Sequence, residues 1–192
     1  MIWLLLLIGL ALWLIANYWL KSLFFNTRFF WICGIVVFMF IAAFFYPGLF
    51  TPAKVIAATF VLLLVTDGMF LFAFRGKPEA RRLITERMSN GDNNPVTLLV
   101  KNTYPFTIRM HIIDELPEQF QARNHFFADT FSPHEEKKFS FHLRPVERGE
   151  YHFGNLMIYT SSLLGFLSRK FVAPTAQMIP VYPSYFQMRK YE

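Results

Sequence analysis

Residues 55–78 read VIAATFVLLLVTDGMFLFAFRGKP, and the fold turns on how that stretch is read. Val55–Phe74 carries a single charge, Asp67, whereas Arg75-Gly76-Lys77-Pro78 carries two cations, a glycine and a proline. At about 1.5 Å rise per residue, about 20 helical residues cover the roughly 30 Å of hydrocarbon in a bilayer. Backbone at that depth has no water to bond, so it must close its hydrogen bonds within a helix. Proline cannot continue a helix. The stretch therefore reads as a membrane helix that ends where the charges begin.

Two similar runs precede it. Phe29–Tyr46 has no charge and only Gly34 interrupts it; Met1–Leu20 has no charge and only Gly9 and Asn17 fall outside the apolar set. The first run has no basic segment at its start and no small-residue cleavage pattern before Lys21, which argues against a removed signal peptide. Trp3, Tyr18, Trp19, Phe29, Phe30, Trp31 and Tyr46 place aromatic rings at the run ends, where bilayer interfaces favour them. The expectation is transmembrane helices over about 1–20, 29–46 and 55–74. The alternative is one or two spans plus an apolar core helix.

The charges follow the same division. The 192 residues are 54% hydrophobic and 17% charged, with a formal net charge of +6. Residues 1–74 hold only Lys21, Arg28, Lys54 and Asp67, so sixteen of the 19 basic and twelve of the 13 acidic residues follow position 74. This excludes a simple soluble domain, a disordered chain and a collagen-like fibre. A disulfide-stapled module is excluded too, because Cys33 is alone and lies in an apolar run. With three spans, Lys21, Arg28, Arg75, Lys77, Arg81 and Arg82 share one side and Lys54 has the other. The excess predicts a cytoplasmic polar domain and an outward N-terminus. Arg75, Lys77, Arg81 and Arg82 are then placed to face anionic headgroups.

Asp67 is the costly residue of the apolar part. An acidic side chain at mid-membrane costs roughly 2.5–3.5 kcal/mol on insertion scales. It is expected to make a helix–helix hydrogen bond or to sit in a partly wet position, with Asn17 and Lys21 as candidate partners. An ion or proton site is the functional alternative. Three helices with one ionisable group are too few for known transporter logic.

Beyond Pro78 the pattern changes to period two. Val96, Leu98 and Val100 alternate with Thr97, Leu99 and Lys101. Phe106, Ile108, Met110 and Ile112 alternate with Thr107, Arg109, His111 and Ile113, and Phe139, Phe141 and Leu143 with Ser140, His142 and Arg144. Such alternation marks strands with one buried face. Residues 151–159 and 165–173 read the same way, less cleanly. Turn residues separate the runs at 91–95, 102–105, 132–134, 148–149 and 154–155. Six to eight short strands without a long amphipathic helix predict an antiparallel, immunoglobulin-like β-sandwich. The fold class is thus an α+β membrane protein: helices over 1–74, a juxtamembrane linker and first strand over 75–94, the sandwich over 95–183, and the start of a further C-terminal region over 184–192.

The search for chemistry is negative. There is no glycine-rich phosphate loop, nucleophile elbow or zincin helix. His111, His125, His134, His142 and His152 lack metal-ligand spacing to each other or to Cys33. Asp114-Glu115 and Glu118 are split by Leu116-Pro117, a strand end rather than a paired acid site. Basic residues are scattered among acids, against nucleic-acid binding. No catalytic, cofactor or metal residue is named, and the chain is not expected to be an enzyme.

Four stretches nevertheless form an ordered set. Asp114-Glu115-Leu116-Pro117-Glu118-Gln119-Phe120 resembles the D-x-x-P-x-x-F stretch of the bacterial family called domain of unknown function 58. Arg148-Gly149-Glu150-Tyr151-His152-Phe153-Gly154 resembles its RG-x-Y-x-x-G signature, Leu164-Gly165-Phe166-Leu167 its D-P-L-G-L-F element, and Val181-Tyr182-Pro183 its V-Y-P element. Ser162 and Leu163 replace the acidic–proline pair of that element. The family's continuation, with a G-D-x-x-R-x-I-D-W signature and a von Willebrand factor type A-like fold, is not matched before Glu192, so no metal site of that fold carries over. The resemblance implies a non-enzymatic scaffold or adaptor of the bacterial cytoplasmic membrane. It would act with a MoxR-type AAA+ ATPase and type A domain proteins in envelope or complex assembly. The rival reading is an envelope-facing receptor whose sandwich binds a peptide or saccharide.

The signature residues have physical readings of their own. Gly149 suits a positive φ or a bulge. Tyr151 can bury its ring while its hydroxyl keeps a backbone partner. Arg148 is expected to pair with a carboxylate, Asp114 first. Leu164–Leu167 is either an exposed partner patch or the next core strand.

Overall fold

The computed structural model describes residues 21–74, 76–121 and 126–183. The predicted span over 1–20, with Asn17, and the 184–192 segment lie outside the described residues. The chain divides into two compact units: Met1–Arg75 with Thr160–Lys170, and Gly76–Tyr159 with Phe171–Glu192.

The first unit contains β1 (Leu23–Phe25), α1 (Thr27–Phe45), a 3-10 turn (Pro47–Leu49) and α2 (Phe50–Ala73). Both helices are long and apolar enough to cross a membrane. Their start points correct the sequence reading, α1 beginning at Thr27 and α2 at Phe50. Pro52 falls in the first turn of α2, where the missing N–H has no helical acceptor to lose. Trp31, Phe38 and Phe44 of α1 and Leu62 and Met69 of α2 keep their side chains exposed. The 21–28 segment, read as a loop, contains β1, which pairs antiparallel with Leu167–Arg169.

The second unit is built from strands. They are β2 (Glu79–Ile84), β3 (Met88–Ser89), β4 (Asn94–Lys101), β5 (Ile108–Asp114), β6 (Phe126–Phe131), β7 (Glu136–Leu143), β8 (Gly149–Phe153), β9 (Leu156–Ser161), β10 (Leu167–Ala173) and β11 (Gln177–Tyr182). Strands β9 and β10 run on into Thr160–Lys170 of the first unit. Neighbours run β9-β5-β6 in one sheet, β2-β4-β7 in a second and β3-β11-β8 in a third. Pairing is antiparallel in β2–β4, β4–β7, β5–β6 and β8–β11, and parallel in β3–β11.

The alternation read from the sequence is the alternation of burial. Val96, Leu98 and Val100 of β4 and Ile108, Met110 and Ile112 of β5 are fully buried. Met88, Val96, Leu143, Tyr151, Phe153, Ile179 and Val181 form a core that joins the two three-stranded sheets. Apolar faces meeting in this way make a β-sandwich.

Two stretches bear on the expected boundaries. The first strand expected within 75–94 is β2, which pairs with β4 from Glu79↔Lys101 to Ile84↔Val96. Within 95–183, residues 160–170 group with the helices instead. More strands form than expected, because β3 is only two residues long and β6 (FFADTF) lacks a clean period.

Candidate functional site: two buried carboxyl groups

Only three charged residues are buried among the described residues: Asp67, Arg82 and Asp114. They define two separate sites, one in each unit.

In the sandwich, β2 turns Ala80, Arg82 and Ile84 towards the interior while Glu79, Arg81 and Leu83 are exposed. A guanidinium on an apolar face needs a carboxylate, since an unpaired buried charge is expensive. Asp114, the last residue of β5, supplies it. The side chains of Arg82 and Asp114 are 1% and 0% exposed. Arg82 Nε donates to Asp114 Oδ2 at 3.3 Å, and Nη2 donates to Oδ1. Nη1 donates to the Thr175 carbonyl and Nη2 also to the Gly154 carbonyl, each at 3.1 Å. The guanidinium lies 5.2 Å from the Phe153 ring centroid. The planar fork of arginine suits this set, which lysine could not reproduce.

Several signature residues gather around that pair. Gly154 N donates to the Glu115 carbonyl at 2.9 Å, and Asn155 N donates to Glu115 Oε2 at 3.0 Å. A Cβ at Gly154 would lie 2.7 Å from Glu115 Cβ, so only glycine lets the two segments approach. Pro117 is buried, and the Phe120 ring centroid lies 4.9 Å from that of Tyr151. Tyr151 Oη donates to the Glu147 carbonyl at 3.0 Å, the backbone bond expected of it. Gly149 has φ +140°, the conformation that calls for glycine at the start of β8.

The expected Arg148–Asp114 pair is not formed. Arg148 is exposed, and Asp114 is bonded by Arg82. The same geometry withdraws Arg82 from the set expected at lipid headgroups. Tyr182 and Pro183 are exposed; the Tyr182 carbonyl accepts from Asn90 N at 2.8 Å.

In the helical unit, Asp67 is fully buried on α2. Among the described residues its partners are neither Lys21 nor a residue of α1. Asp67 Oδ2 accepts from Phe166 N at 3.0 Å and Leu167 N at 2.9 Å, and Oδ1 accepts from the Ser162 hydroxyl. The Ser162 hydroxyl accepts in turn from Leu164 N at 3.2 Å. Asn17 lies outside the described residues. Asn26 and Arg28 complete the arrangement. Asn26 Nδ2 donates to the Gly165 carbonyl at 3.1 Å, and Asn26 N donates to the Phe166 carbonyl at 2.9 Å. Arg28 Nη1 donates to the Leu164 carbonyl at 3.1 Å. Arg169 Nη1 donates at 3.1 Å to the carbonyl of Leu71, one of the last-turn carbonyls that the helix cannot satisfy itself. Gly165 takes φ +69° in the turn. Phe166 and Leu167 are buried in this unit, as the core-strand reading expects, while Leu163 is exposed.

Each polar atom described is committed to a structural bond. His111, His134, His142 and His152 are exposed, and His125 lies outside the described residues. Among the described residues, no group of three or more His, Cys, Asp or Glu is placed to hold a metal ion. One surface cleft of about 280 Å³ is lined by Glu79, Arg81, Leu99, Lys101 and Glu136, a face of mixed charge.

No family model and no curated protein matches the chain. Solved structures similar to it include a PapD-like domain of human CEP192, at 13% identity and TM-score 0.41, over 56% of this chain and 87% of that domain. The CARDB domain of a Pyrococcus furiosus protein gives 10% identity and TM-score 0.37, over 55% and 88%. The C-terminal domain of wzt gives 13% identity and TM-score 0.37, over 57% and 76%. The class defined by the structure itself is two long apolar helices followed by a largely antiparallel β-sandwich.

Proposed function

We propose that the chain is a non-enzymatic, membrane-anchored scaffold whose β-sandwich lies on the cytoplasmic side of a bacterial inner membrane. The observation that carries the anchor is the helical hairpin. Both helices pass the length and composition needed to span, and their apolar side chains point outward along their lengths. A soluble protein rarely leaves so large a contiguous apolar surface uncovered. The orientation follows from Lys21, Arg28, Arg75, Lys77 and Arg81 on one side against Lys54 on the other. A docking role suits a sandwich whose buried polar groups serve its own architecture. The partnership with a MoxR-type AAA+ ATPase and type A domain proteins rests on the resemblance to the domain of unknown function 58 family.

Fusions of alkaline phosphatase and of a green fluorescent reporter after Glu192 test the placement. Fluorescence without phosphatase activity is expected. Phosphatase activity would reverse the orientation, and recovery of the chain in the soluble fraction would overturn the anchor. Retention of a purified MoxR-type ATPase on the nanodisc-embedded chain is expected of the scaffold, and its absence would remove that partnership.

A further inference from the structure

We infer that the turn Ser162–Phe166 is seated in the bilayer interface, with the Leu163 side chain among lipid acyl chains. This rests on the membrane-anchor reading of α1 and α2. It adds a membrane contact made by residues outside the helices.

The first observation is the level of the turn along the helices. Asp67 stands six residues before Ala73, so its bonds hold the turn about 9 Å inside the C-terminal end of α2. Phe166 reaches further: its ring meets that of Phe60 with centroids 5.7 Å apart, and Phe60 also contacts Phe29 of α1 at 5.8 Å. Arg28, in the first turn of α1, bonds the Leu164 carbonyl. The 19 residues of α1 span about 28 Å, close to the hydrocarbon thickness, so the start of α1 marks the edge of the apolar layer. The turn lies at that edge.

The second observation is how the turn's backbone is satisfied. The N–H groups of Leu164, Phe166 and Leu167 go to Ser162 and Asp67. The carbonyls of Leu164, Gly165 and Phe166 go to Arg28 and Asn26. A turn in water needs no such provision, because water bonds its backbone. Non-helical backbone near a bilayer is tolerated where protein groups replace that water.

The third observation is what is left facing outward. Leu163 is 75% exposed, and Phe24 and Phe25 of β1 are exposed in the same unit. At the height spanned by these contacts, α2 also exposes Val61, Leu62, Val65, Met69 and Phe70. Leu163 thus extends an apolar surface already presented by the helix, and acyl chains are the occupant that covers both.

Cys33 is the sole cysteine, so a Cys33→Ala background allows single nitroxide labels at Leu163→Cys, Val37→Cys and Val146→Cys. Val37 on α1 and Val146 in the sandwich are both exposed. The full chain is placed in phosphatidylethanolamine–phosphatidylglycerol vesicles, and collisions with oxygen are compared with collisions with a nickel chelate. The inference expects oxygen to dominate at 163 as it does at 37, and nickel to dominate at 146. Nickel dominating at 163 while oxygen dominates at 37 would overturn the inference and leave the anchor standing. Low access to both reagents at 163 would mean a protein partner and would also overturn it. Nickel dominating at both 163 and 37 would overturn the anchor itself.

Discussion

Two carboxyl groups are buried among the described residues, and they are held by opposite means. Asp114 in the sandwich faces a guanidinium, that of Arg82. Asp67 in the helical unit bonds no cation among the described residues: its partners there are two backbone N–H groups and one hydroxyl. The difference follows from what each must do. Arg82 and Asp114 bring segments of β2, β5, the β8–β9 turn and the β10–β11 turn to one point, and a forked cation with several donors can bond all of them. Asp67 organises a single tight turn, for which acceptors aimed at consecutive N–H groups suffice. A charged pair fixes long-range register, whereas a carboxyl with neutral donors shapes local backbone.

The contrast is sharpest when the same substitution is made twice. Asp114→Asn keeps the size of the side chain but leaves Arg82 buried without a counter-charge. Breaking a buried pair on one side costs about 3–5 kcal/mol. Asp67→Asn keeps an oxygen for the N–H groups of Phe166 and Leu167 and turns its amide towards the Ser162 hydroxyl, so its loss is expected to stay under about 1 kcal/mol. Denaturant unfolding of the detergent-solubilised chain should therefore rank Asp114→Asn far below Asp67→Asn. Equal losses would break the comparison. Replacing the sandwich pair together, as Arg82→Met with Asp114→Leu, should recover much of the lost stability, because an apolar pair of similar volume leaves no stranded charge.

Truncation of Asp67 comes next in size. Asp67→Ala strands two N–H groups and a hydroxyl, and unsatisfied buried donors cost about 1–3 kcal/mol. The effect should appear as local opening of the turn, read by faster tryptic cleavage after Arg169 or Lys170. One kcal/mol corresponds to about a fivefold change in the open population. An unchanged cleavage rate would mean that Asp67 does not hold the turn.

How much of this was legible depended on distance along the chain. The apolar runs of α1 and α2 and the alternation of β4 and β5 are local patterns, and each could be read directly. β1 was missed because Leu23-Phe24-Phe25 is too short to show a period, and its partner lies near Arg169. The cost of burying Asp67 was visible, yet its hydroxyl donor lies 95 residues away and no spacing connects them. Arg82 stands in a run of cations, yet its place between Ala80 and Ile84 puts it on the inward face of β2. That period was the available signal. It competes with the cluster Arg75, Lys77, Arg81 and Arg82, which reads as one basic group. Asp114 bonds Arg82 and not the expected Arg148, which lies in a different stretch and precedes Gly149 at an exposed strand start.

A smaller effect tests the sandwich without touching its ion pair. Tyr151 is buried and bonds the Glu147 carbonyl with its hydroxyl. Tyr151→Phe keeps the ring against Phe120 and loses that one bond, about 0.5–1.5 kcal/mol. Equilibrium unfolding should place this variant between wild type and Asp114→Asn. A loss as large as that of Asp114→Asn would mean that the hydroxyl, and not the ring packing, secures the start of β8.

The smallest effect belongs to a half-buried pair at the surface, which extends the comparison to a carboxylate partly open to water. Lys137 Nζ lies 2.8 Å from Asp129 Oδ2. The hydrogen bond from Lys137, aided by that from the Thr130 backbone, holds the Asp129 carboxyl below its ordinary value of 3.8. The hydrogen bond to Asp129 in turn raises Lys137 above 10.5. Because the folded value of Asp129 is depressed, its contribution is present above the unfolded value and is lost as pH falls through the folded one. Because that of Lys137 is raised, its contribution is present below 10.5 and is lost as pH climbs through the folded value. Solvent screens a surface pair of this kind, so high salt should erase most of its effect even at neutral pH. The gap in unfolding midpoint between wild type and Asp129→Asn should accordingly be small at pH 7, smaller still in 1 M salt, and should shrink as pH drops below about 3.8, closing once it passes the folded value. A gap that persisted in acid would show that Asp129 acts through something other than its charge.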